Sequence, residues 1–67
     1  MQPMTKDEIR AQIELNRLRE QAPGSFNALA DAVGVERSTM RAALAPNGTL
    51  SKSIAEKCSA HLRGLAK

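Results

Sequence analysis

The segment FNALADAVGVERSTMRAAL, residues 26–44, constrains the fold of this 67-residue chain most tightly. A glycine at position 34 separates two apolar patterns of helical period. Before it, Leu29, Ala30 and Val33 share one face of a helix. After it come Val35, then Met40, Ala43 and Leu44 along the inner side of a second helix. Ala30 is small enough for the second helix to approach closely. Gly34 can take the left-handed backbone conformation that ends a helix without a side-chain penalty. Met40 fixes the second helix to a core. The segment predicts two short helices joined by a tight turn, with the outer face of the second left free.

The flanks predict two more helices. Thr5 with Glu8 three residues on is a capping-box pattern, and Asp7 and Glu8 suit a first turn. A long helix is expected from residue 6 to 19 or 21, stopped by Ala22-Pro23-Gly24. Its apolar residues fall on two sides: Ala11, Leu15, Leu18 and Ala22 on one, Ile9 and Ile13 nearly opposite. Residues 1–4 read as a loose leader. Ser25 is an N-cap for the second helix. The third helix starts near Glu36 and runs to Leu44 or Ala45, before a turn at Pro46-Asn47-Gly48. Ser51 or Ser53 caps the fourth, and Ser53 with Glu56 repeats the capping-box spacing. Ile54, Cys58, Leu62 and Leu65 form its apolar face, widened by Ala55 and Ala66. Gly64 is expected to fray or end that helix. The fold class is all-α, four short helices around a helix-turn-helix. With Phe26 the only aromatic residue, the core favours helices over strands.

Sixty-seven residues fit one domain, at a length where burial alone leaves stability marginal. Self-association is a common remedy. The single cysteine, Cys58, closes no internal disulfide. Cys58 with His61 is half a metal site, and two ligands do not hold zinc. No cofactor, metal or small-molecule ligand is expected. Paired carboxylates, a Ser/His/Asp set and a phosphate-cradling glycine loop are all missing from the pattern, and a chain this short has little room for a pocket, so an enzyme is not expected. No apolar run is long enough for a membrane span, and the N-terminus has no apolar signal core, which with the lone thiol favours the cytoplasm. The net charge of +3 leans modestly toward an anionic partner.

If the third helix enters a DNA major groove, its N-terminal residues meet base edges. Arg37 and Ser38 point outward there, and Arg41 follows one turn later. Arg37 suits bidentate bonds to guanine O6 and N7; Ala42 suits a thymine methyl. Arg41 can read a base or hold a phosphate. Glu36 either accepts from cytosine N4 or serves the helix dipole. Thr39 suits phosphate. Further phosphate candidates are Ser25, Phe26 and Asn27 at a helix N-terminus, and Asn47, Thr49, Ser51, Lys52 and Ser53 after the third helix. Asn47 reads equally as a turn former, and Lys52 reads slightly better as a solvated cation than as a phosphate contact.

The run ALADAVGVERSTMRAAL resembles the DNA-binding helix-turn-helix of the phage Cro and repressor families, with alanine, glycine, then a Val-x-x-Ser-x-apolar segment. The likeness covers residues 26–44 closely and extends loosely to Leu62. It implies a λ-repressor-like fold in which Glu36, Arg37, Ser38 and Ala42 face the bases. It also implies a homodimer on an inverted repeat and a role as a transcriptional repressor. Small phage autoregulators, including those that accompany anti-CRISPR genes, are similar in size. The loop Ala45-Pro46-Asn47-Gly48 is longer than the family's usual Asn-Gly ending, and the C-terminal strand by which Cro dimerises is lacking. Two places remain for a dimer contact: Ile9 and Ile13 on the first helix, which alternatively pack beneath the fourth, and Leu65 at the end of the fourth. The rival to a repressor is a protein-interaction module, such as an antitoxin or adaptor, whose basic helix face meets an acidic protein.

Overall fold

The computed structural model describes residues 2–65. Among them the elements are four helices and no strand: α1 (Lys6–Leu18), α2 (Phe26–Val33), α3 (Arg37–Leu44) and α4 (Lys52–Leu65). The all-α expectation is met. Ala66, expected to widen the α4 stripe, lies outside the described residues.

The helix starts follow capping chemistry. Thr5 accepts from the Glu8 N–H at 3.2 Å while Glu8 returns a bond to the Thr5 N–H at 3.0 Å, completing the capping box. Ser25 Oγ accepts from the Ala28 N–H at 3.1 Å. For α4 the cap is Ser51, whose Oγ accepts from the Ile54 N–H at 3.2 Å. The Ser53–Glu56 pattern therefore lies inside the helix, and a cap two residues earlier takes its place.

The helix ends hold two corrections. α1 stops at Leu18, before the Ala22-Pro23-Gly24 breaker. Glu20 takes φ 56, and the N–H groups of Glu20 and Gln21 bond back to Arg17 O and Asn16 O at 3.1 and 2.7 Å. That is the Schellman arrangement, with a glutamate where glycine is usual. α4 runs through Gly64 to Leu65 rather than ending at the glycine. At α2 the expectation holds: Gly34 has φ 75, and the Val35 N–H bonds to Ala30 O at 2.9 Å.

The core joins Ile9 and Ile13 of α1, Leu29 and Ala30 of α2, Met40 and Leu44 of α3, and Cys58 and Leu62 of α4. α2 packs chiefly on α3, and α4 on both α1 and α2. The faces of α1 thus correct the dimer proposal. Ile9 and Ile13 are buried in their own chain and offer nothing to a second copy. Leu15 and Leu18 on the opposite side are exposed, Leu18 to 68%. Asn16 flanks the isoleucines and is buried too. Its amide donates to Pro23 O at 3.2 Å and accepts from Gln12 at 3.0 Å, pinning the α1–α2 loop.

The leader is also fastened, contrary to its reading as loose. Met4 packs on the core and its N–H donates to Ser59 Oγ at 2.5 Å. Arg63 donates to Gln2 O at 2.7 Å. Lys6, the first residue of α1, reaches across the fold. Its ammonium donates to Ala45 O, Pro46 O and Gly48 O at 3.0, 3.2 and 2.8 Å, gathering the loop that leaves α3. Gly48 closes the same junction from the other side. A Cβ there would overlap the Ala42 carbonyl oxygen and lie 3.2 Å from Ala43 O.

Candidate nucleic-acid interface

α3 is eight residues long and divides cleanly by exposure. Met40, Ala43 and Leu44 are buried. Glu36, Arg37, Ser38, Thr39, Arg41 and Ala42 are exposed. The outer face therefore carries every residue that the pattern assigned to bases, and Thr39 with them. The split follows from the turn: once Gly34 turns the chain left-handed, Met40 at six residues beyond it is the anchor that sets the rotation of α3.

The polar groups at the start of α3 are already interacting. Ser38 Oγ donates to Glu36 Oε1 at 2.6 Å. Glu36 occupies the N-cap position, yet its side chain makes no cap hydrogen bond. Arg37 is paired with Asp31 of α2: Nε donates to Oδ1 at 3.0 Å and one terminal nitrogen to Oδ2 at 2.6 Å. The hydrogen bond from Arg37 holds the Asp31 carboxyl below its ordinary value and raises Arg37 above the usual guanidinium value. Asp31 was not among the residues singled out from the pattern. The available signal was an acidic residue on the outer face of α2, three positions before Gly34, across the turn from a leading arginine.

The phosphate candidates fall into two groups beside α3. At the N-terminus of α2, Ser25 is exposed and caps Ala28. The first-turn N–H groups of Phe26 and Asn27 have no carbonyl within the helix to bond. Phe26 lines a shallow depression with Ser38, Arg41, Ala42, Ala45 and Pro46. That depression brings the start of α2, the outer face of α3 and the following loop together. Asn27 Oδ1 is buried with no hydrogen-bond partner among the described residues. The second group, Asn47, Thr49, Ser51, Lys52 and Ser53, is exposed. Lys6 and Gly48 hold its loop against the C-terminal end of α3. Ser51 spends its hydroxyl on the α4 cap.

Cys58 is fully buried, its thiol against Met40 Sδ at 3.9 Å, and burial pushes its pKa up. His61 is half-buried on the same helix. Among the described residues no three His, Cys, Asp or Glu side chains are grouped to hold a metal ion, and no helix is long and apolar enough to cross a membrane. No family model, curated protein or solved structure matches this chain.

Proposed function

We propose that this protein binds double-stranded DNA in a sequence-specific manner through α3 and acts as a homodimeric repressor or autoregulator on an inverted-repeat operator. One observation carries the reading. A short helix is anchored by Met40, Ala43 and Leu44 behind a left-handed glycine turn, and presents Arg37, Ser38, Arg41 and Ala42 outward. Those are an arginine for guanine, a hydroxyl, a second cation and a methyl-sized contact for thymine. Phosphate contacts from the start of α2 and from residues 47–53 flank them and set register. Binding occludes a promoter. As in small phage and mobile-element regulators, whose helix-turn-helix this segment resembles, the protein works in the cytoplasm of a bacterial or infected cell.

The second copy is assigned to the groove between the C-terminal parts of α1 and α4, lined by Gln12, Leu15, Arg19, Ala22, Leu62 and Leu65. Leu65 is 51% exposed there and is kept from the sequence-based dimer set. Nothing from α3 lines this groove, so a partner seated on it leaves both reading helices free.

Titration of a labelled duplex against salt tests the reading. Affinity falls steeply with salt as phosphate contacts are lost, and Arg41→Ala weakens it. No binding near physiological salt would favour the interaction-module reading, in which the exposed leucines of α1 and α4 meet a protein partner.

A further inference from the structure

We propose that Asp31 is a positioning residue that holds the Arg37 guanidinium by one edge, so that its opposite edge reads a guanine. The inference rests on the DNA-binding reading and adds a specificity residue from outside α3.

The two hydrogen bonds use the Nε–H and one N–H of a terminal nitrogen, the side edge of the guanidinium. A guanidinium has five N–H donors in one plane. Three remain, and two of them, one on each terminal nitrogen, point in parallel away from the far end. That fork is the one that matches guanine O6 and N7. Asp31 thus occupies the edge that a guanine does not need and fixes the plane of the edge that it does. The remaining rotations of a long side chain are restrained before DNA arrives, which lowers the ordering cost of contact.

A staple for the fold is the other role such a pair can have, and the energetics argue against it. The two side chains are 61% and 54% exposed, and ion pairs in water contribute little to stability. A consequence for discrimination follows from charge. Beside a carboxylate, Arg37 has less attraction for phosphates at large, since the pair is neutral. Freed from Asp31, it becomes a mobile cation that satisfies itself on any backbone.

The test uses the full chain. Duplexes bound by the wild type are selected from a random pool, and the guanine whose preference disappears in Arg37→Ala is located. Asp31→Ala is then measured on that duplex, on the same duplex with the guanine replaced, and on an unrelated one. The expected result is a loss of about tenfold in guanine discrimination, with affinity for the unrelated duplex unchanged or raised and an unchanged unfolding temperature. In the Arg37→Ala background, Asp31→Ala should then change base preference no further. Retained guanine preference in Asp31→Ala would overturn the inference alone, as would an equal loss of affinity on all three duplexes. A wild type that enriches no duplex would overturn the DNA-binding reading and this inference with it.

Discussion

Lys6→Met should destabilise the protein although Lys6 stands at the wrong end of its own helix. A cation in the first turn opposes the helix dipole, by about 0.3–1 kcal/mol, so α1 taken alone predicts that methionine would help. The fold predicts the reverse. The ammonium makes three hydrogen bonds to carbonyls that follow α3, at 2.8 to 3.2 Å. A hydrogen bond to a charged group contributes about 1.5–3 kcal/mol. Here three share one ammonium and the carbonyls are partly open to water, so we take about 2 kcal/mol for the set. The favourable position of Lys6 near the C-terminus of α3 is worth about as much as its unfavourable one on α1, and the two dipole contributions cancel. Methionine keeps the apolar stem and removes only the charge and donors. For a domain of this size about 2 kcal/mol lowers the melting temperature by roughly 8–16 °C. Thermal unfolding followed by far-ultraviolet circular dichroism reads this directly. A melting temperature equal to or above wild type would refute the reasoning, because the local dipole would then outweigh the bonds across the fold.

Five further outcomes follow from the local geometry. Glu20→Gly should raise stability by about 1 kcal/mol, since it relieves a left-handed non-glycine residue; Gly34→Ala should lower it by a similar amount through conformation alone, as no atom lies within 4 Å of the added methyl. Gly48→Ala should lower it by about 1–3 kcal/mol for a different reason, a clash with the Ala42 carbonyl, and urea unfolding of the three variants separates these effects. Glu8 and Glu14 are held below their ordinary values by the Thr5 backbone and Arg17 respectively; their contribution is therefore complete above the unfolded value of 4.5 and is lost as pH falls through the lower folded ones, so the melting temperature should decline modestly below about pH 4 and that acid-side decline should shrink in high salt. Leu65→Lys should shift sedimentation toward the monomer with little change in helix content, whereas a persisting dimer would remove the α1–α4 groove as its interface.

The turn segment was legible because its constraints are local. Gly34, Ala30 and Met40 each act within one turn of their neighbours, and the residues that face out on α3 follow from those that face in. The caps at Thr5 and Ser25 were legible for the same reason. The orientation of α1 was not. Its buried face runs Lys6, Ile9, Ile13, Asn16, polar at both ends, while the opposite side offers two leucines and two alanines. Hydrophobicity alone therefore pointed to the wrong face. What decides it lies outside the helix: Lys6 finds three carbonyls more than 35 residues away, and Asn16 finds the Pro23 carbonyl of the following loop. The stop at Glu20 was hidden because a non-glycine residue takes the left-handed position there. Asp31 escaped notice because its pairing with Arg37 crosses the turn, and no helical spacing links positions six apart on two different helices.

The central claim is that α3 reads a DNA sequence, and selection from a random duplex pool at about physiological salt tests it most directly. The account predicts an enriched inverted repeat with half-sites about one helical turn apart, containing a guanine that is lost when Arg37 becomes alanine. Recovery of a pool no different from the input would contradict it.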